Sequence, residues 1–161
     1  MPGRLLKGKE IMSTDHWSAP PQKEDFIQAV TEFFRLLSKN KQAEARVLLG
    51  GINGRPGAPD DSAWTELLRC LWEDLEDWRD DFDYARFEGG WLTHLTPPDL
   101  VSEPGLLGID WSSGADPMEP GDGLLINIFF LDEPTDDTAR FSLTKGPDGA
   151  YRLALDNIEV M

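Results

Sequence analysis

The sequence predicts an α+β fold, with N-terminal helices packed on a C-terminal antiparallel sheet. Residues 124–131 form an apolar run, β-branched and aromatic in its middle at Ile126, Ile128, Phe129 and Phe130. Residues 139–145 and 151–155 alternate apolar with polar and are separated by the turn signal Gly146-Pro147-Asp148-Gly149. That is the pattern of an antiparallel meander. Upstream, apolar residues recur at helical spacing in two long segments. One face of the meander has to be buried, so the helices must supply its cover.

Residues 1–21 read as a flexible leader. Gly3, Arg4, Lys7, Gly8 and Lys9 leave little to bury, and Met12-Ser13-Thr14 has the look of a native start. Leu5-Leu6 is too short for a signal-peptide core. Pro20-Pro21 marks the beginning of structure, and residues 22–161 are expected to form one α+β domain. The first helix is expected over residues 22–38, because Phe26, Val30, Phe33 and Leu37 share one helical face. Phe34 and Leu36 widen that face. A short helix over residues 42–49 should end at Gly50-Gly51, which supplies a left-handed C-cap. Residues 52–60, rich in Gly and Pro, read as an irregular loop.

The strongest helical pattern covers residues 62–78, capped by Asp61 or Ser62. Trp64, Leu68, Leu71, Leu75 and Trp78 recur on one face, with Leu67 and Trp72 beside them. Cys70 lies off that face and reads as a half-buried, inert thiol. Residues 91–95 suggest a strand. Residues 96–123 carry five prolines and many glycines, and an irregular segment of that length is commonly functional or mobile. Within it, residues 106–111 could form a short edge strand. Residues 132–137 read as an acidic turn between two strands, and residues 158–160 close the sheet.

The chain has 161 residues, 30 acids against 15 bases, and a net charge of −15. Such a surface repels nucleic-acid phosphate and anionic lipid, and it favours a cationic partner or plain solubility. The single cysteine excludes an internal disulfide and a cysteine-based zinc cage. No run of about 18 apolar residues is present. A cytoplasmic protein follows as the expectation.

The usual catalytic signatures are missing from the sequence. It has no His-Glu-x-x-His, P-loop, Gly-rich dinucleotide fingerprint or Gly-x-Ser-x-Gly elbow. Of two histidines, His16 falls in the leader, and His94 has no second histidine or cysteine near it in sequence. The stretch 132–137 lacks the ligand order of a calcium-binding loop. No metal and no cofactor are expected.

The densest feature is the acidic stretch 73–83, with Glu73, Asp74, Glu76, Asp77, Asp80, Asp81 and Asp83 against Arg79 as its only base, and with Trp72, Trp78, Phe82 and Tyr84 among them. Like charges three or four apart on a helix repel by about 0.2–0.5 kcal/mol a pair. Asp80 and Asp81 would also lie at the helix end that disfavours anions. Two readings fit: a solvated helix face, or a contact patch whose aromatics anchor a partner. Asp132, Glu133, Asp136 and Asp137 form a second, smaller patch.

The order helix, short helix, helix and closing sheet resembles the cone-shaped cystatin-like fold of the nuclear transport factor 2-like superfamily. Residues 26–34, 40–45 and 48–49 carry the helical part of that resemblance. Residues 127–133, 137–141 and 155–161 are similar to an uncharacterised family of small bacterial domains. That family commonly has Trp-Ser-Asp after the acidic pair, where this chain has Pro134-Thr135-Asp136. The superfamily resemblance implies a cone-like outline, and its members include enzymes, ligand carriers and toxin-immunity proteins.

The expected function is that of a non-enzymatic bacterial binding protein, an immunity protein that occludes a basic toxin through Glu73, Asp77, Asp80, Asp81 and Asp83. The alternative is a cone-fold enzyme or small-ligand carrier. Its pocket would be lined by Ile126, Ile128, Phe141, Leu153, Trp91 and His94. A homodimer built on the open sheet face is a third expectation.

Overall fold

The computed structural model describes residues 16–53, 55–57, 59–75 and 90–160. Helix α1 spans Lys23–Ser38, α2 Gln42–Val47 and α3 Asp61–Asp74. The strands are β1 Leu49–Ile52, β2 Arg55–Pro56, β3 Leu95–Thr96, β4 Asp110–Trp111, β5 Gly123–Phe130, β6 Glu133–Lys145 and β7 Tyr151–Val160. The sheet runs β2-β1-β7-β6-β5-β3, and β4 also pairs with β5. The α+β reading holds, with helices on one face of a largely C-terminal sheet.

Helix α1 forms where its apolar stripe predicts. Gln22 and Asp25 close a capping box at its start, and Phe26, Val30, Phe33, Phe34 and Leu37 are all buried. Helix α3 begins one residue before the expected span. Asp60 caps it, accepting the Ala63 N–H at 2.8 Å. Its buried face is Ala63, Trp64, Leu67, Leu68 and Leu71. These two faces close over the inward residues of the sheet. Phe33 packs edge-on against Phe141 of β6 at 5.7 Å and against Trp64 at 6.2 Å. Phe34 meets the same Phe141 at 5.8 Å. Edge-to-face pairs of this kind add about 0.5–1.5 kcal/mol each beyond their buried area.

Several expectations are corrected. The sheet is mixed, because β1 runs parallel to β7, with Leu49 opposite Leu153 and Ile52 opposite Leu155. Gly50 and Gly51 lie in that strand, so they are not a helix C-cap. A Cβ on Gly50 would stand 2.6 Å from the Arg152 Cβ, so β1 can come this close only without a side chain there. Residues 52–60 are not wholly irregular, since β2 pairs back on β1. Residues 91–94 belong to a 3-10 turn, Gly90–His94, and only Leu95 and Thr96 join the sheet. Trp17, expected in a loose leader, exchanges two backbone hydrogen bonds of 2.8 Å with Tyr151 and stacks on Phe26.

The acidic turn is also redrawn. The two-residue hairpin loop is Leu131-Asp132, with φ of 55° and 61°, the doubly left-handed geometry that tight hairpins use. Glu133 already begins β6, and Phe130 pairs with it. The segment between β3 and β5 is pinned at several points. Ser102 donates its N–H and hydroxyl to the Asp132 carboxylate at 2.9 and 2.5 Å. Arg35 of α1 pairs with Asp99 at 2.6 Å. The Met118 N–H donates to the Pro21 carbonyl at 2.9 Å.

At Gly123, the first residue of β5, a Cβ would fall 1.9 Å from the Phe141 carbonyl oxygen. Gly114 faces open space. Gly123→Ala should therefore destabilise by about 1–3 kcal/mol in urea unfolding, while Gly114→Ala should change stability by less than about 0.5 kcal/mol. Equal effects at both positions would contradict the close approach of β5 to β6.

Candidate functional site

The phase of β6 sets the site. Alternate residues of a strand face the same side, and Ala139, Phe141 and Leu143 are the inward, buried set. Extending that phase by one step toward the start of the strand brings Asp137 to the inward side. It is 1% exposed, and among the described residues neither carboxylate oxygen meets an N–H or hydroxyl donor. The neighbouring backbone is satisfied: the Asp137 N–H donates to Thr135 Oγ1 at 3.1 Å, and Thr135 donates its hydroxyl to the Ile128 carbonyl at 2.7 Å.

Asp74, the last residue of α3, comes against Asp137. Burial pushes the Asp137 carboxyl well above the usual carboxylate range, to about 7. The charge of Asp74, hydrogen bonding with the Asp74 carboxyl, and the charge of Asp136 push in the same direction. A carboxyl can donate to a carboxylate only when it carries a proton. The proton therefore belongs to Asp137, which is buried, and the exposed Asp74 carboxyl lies beside it.

The pair joins the two acidic stretches that the sequence presents separately. Glu73 and Asp74 end α3, whose last turn carries no base; Glu133 and Asp136 stand exposed on β6. The ion pairs among the described residues use Arg35, Arg46, Arg140 and Arg152, and none of these pairs includes Glu73, Asp74, Glu133, Asp136 or Asp137. Anions at a helix C-terminus are disfavoured by about 0.3–1 kcal/mol each. Folding gains nothing from this placement.

The predicted partner-binding residues divide into three groups. Asp77, Asp80, Asp81, Asp83, Phe82 and Tyr84 lie outside the described residues, as does the predicted helical continuation beyond Leu75. Glu73, Asp132, Glu133 and Asp136 are exposed as expected. Asp132 is nevertheless a structural acid, because the Ser102 hydroxyl and N–H hold its carboxyl below the usual range. Two residues are corrected: Asp137 is buried and inward, and Trp72 is half-buried and packed against the core. Cys70 is corrected as well, since it is exposed. Slight burial, with Glu66, Asp74 and Glu73 nearby, raises its thiol above the ordinary value, so thiolate is scarce.

The residues named for a ligand pocket behave differently. Ile126, Ile128, Phe141, Leu153 and Trp91 are each at most 2% exposed and belong to one continuous core. His94 packs beside Phe130 at 5.9 Å. A groove of about 380 Å³ lies elsewhere, along Arg55, Ser142, Thr144, Lys145 and Asp156. A second, of about 530 Å³, follows the polar side of α3 from Asp61 to Glu73. Asp137 lines neither. Among the described residues, no group of three or more His, Cys, Asp or Glu side chains could hold a metal ion, and no helix is long and apolar enough to cross a membrane.

The acidic composition of residues 132–137 places Asp137 in a turn, but its two-residue spacing from Ala139, Phe141 and Leu143 is the signal that marks it as inward. Nothing in the sequence marks Asp74 as its neighbour.

Folded, Asp137 keeps its proton up to about pH 7; unfolded, it loses it near about pH 4. Its contribution to stability is complete below the unfolded value and is lost as pH rises toward 7, by up to about 1.4 kcal/mol per pH unit. Asp137→Asn keeps the shape of the neutral acid and removes the titration. In urea unfolding between about pH 5 and pH 8, wild-type stability should fall relative to Asp137→Asn and level off above pH 7. Parallel curves would mean that Asp137 stays ionised throughout.

Comparison with known proteins finds no matching family model, no matching curated protein and no matching solved structure.

Proposed function

We propose that this chain is a non-enzymatic acidic binding protein that occludes a basic protein partner, in the manner of an immunity protein neutralising a bacterial toxin. One observation carries the reading. Two acidic stretches far apart in sequence converge at Asp74 and Asp137, and no ion pair among the described residues takes up their charge. A cationic surface supplies the missing countercharge. Exposed carboxylates speed its approach, and closely apposed charge pairs slow its departure. The packed interior also supports the reading, because Ile126, Ile128, Phe141, Leu153 and Trp91, named for a pocket, fill the core themselves. The order of helices and closing meander supports a likeness to the cone-shaped superfamily, in which such inhibitors occur. Cytoplasmic residence goes with this reading, since a lone exposed Cys70 stays reduced there.

A second reading has one observation in its favour. An inward carboxyl that titrates at about 7 suits general acid–base chemistry, as a cone-fold enzyme would require. It lacks a described cleft that reaches Asp137.

The first reading is tested with the product of the neighbouring gene, which this reading expects to be a basic protein. The two should associate with a nanomolar Kd, and added salt should slow association steeply. Asp74→Lys with Asp136→Lys should lower the association rate by about tenfold or more in stopped-flow measurements. No association, or association indifferent to these reversals, would remove the acidic face from the account.

A further inference from the structure

Resting on the reading above, we propose that binding of the basic partner is coupled to release of a proton: an arginine of the partner seats on Asp74 and expels the proton that the buried Asp137 carries. The geometry supplies both parts of the device. Asp74 is exposed and can be reached, while Asp137 is 1% exposed and its carboxylate oxygens meet no N–H or hydroxyl donor among the described residues. The charged groups that act on Asp137 among the described residues are Asp74 of α3 and Asp136 of β6, both acids. With no cation acting on it among the described residues, Asp137 keeps its proton in the free protein.

A guanidinium changes that balance. Its planar fork can serve two carboxylates at once, and it keeps its own charge at every accessible pH. Seated at Asp74, it lies within electrostatic reach of Asp137 and favours the ionised form. The Asp137 O–H bond then breaks, its electron pair stays on the carboxylate, and the proton passes to water. Because arginine does not titrate in this range, the proton released comes from Asp137. Lysine offers a compact point charge without the fork, and so suits two carboxyls less well.

The test uses the full chain and a tetra-arginine amide as probe. Carboxyl carbon NMR follows the titration of Asp137 with and without saturating peptide. The midpoint should lie near pH 7 in the free protein and fall by about one to three pH units with peptide bound. Peptide affinity should rise with pH up to about 7, approaching tenfold per pH unit below it, and then level off. Asp74→Asn should abolish the movement of the midpoint. Asp137→Asn should remove the step in affinity near pH 7. Bound peptide with an unmoved midpoint, or an unchanged pH step in Asp137→Asn, would overturn proton coupling and leave the acidic binding face standing. Failure of the peptide to bind at low salt would overturn both.

Discussion

The closure of α1 and α3 over the inward face of the sheet is the constraint on which the rest of the structure depends. Phe141 is its centre, with Phe33 and Phe34 of α1 edge-on against it and Trp64 of α3 against Phe33. Removing apolar area from water drives this closure, and the fixed alternation of a strand decides what else is carried inside. β6 runs from Glu133 to Lys145, well past its apolar segment. The phase that buries Leu143, Phe141 and Ala139 therefore also brings Asp137 inward, where α3 ends at Asp74. The carboxyl pair is a geometric consequence of a long strand meeting the end of a helix.

That consequence works against folding in two separate ways. A carboxylate in low dielectric without a donor is costly, and the cost is reduced by taking up a proton. Acids at the C-terminal end of α3 oppose the helix dipole. Either alone would be an ordinary imperfection. Both meet at one place, while Arg35, Arg46, Arg140 and Arg152 find acids elsewhere on the surface. Sites where several local preferences are violated together are where function is sought, because folding does not account for them.

Much of this architecture was legible in the chain. The stripes Phe26-Val30-Phe33-Leu37 and Trp64-Leu68-Leu71 predict the helices, and the alternation around Phe141 predicts the meander, because burial imposes its period on sequence. β1 was not legible. Leu49-Gly50-Gly51-Ile52 resembles a helix stop, and its glycines are explained only by Arg152 crossing close by, a tertiary contact. The hairpin at Leu131-Asp132 escaped for a related reason. Neither residue announces a left-handed turn, and the turn is held by Ser102, Thr96 and His94 from a distant segment. The candidate site was half legible: the acidity of both stretches could be read, but not their meeting.

A proton held on Asp137 beside Asp74 occupies the place of a cation, and this bears on selectivity. A neutral or anionic surface approaching Asp74 gains nothing that the proton does not already provide, and it must leave the pair as it is. A cation displaces the proton and is compensated by two charges where the free protein showed one. Its gain depends on pH near neutrality because the competitor is the proton itself. The exposed acids Glu73, Glu133 and Asp136 attract any positive surface and distinguish poorly among them. The buried member adds discrimination, since only a charge seated close to Asp74 is near enough to draw the proton out of Asp137.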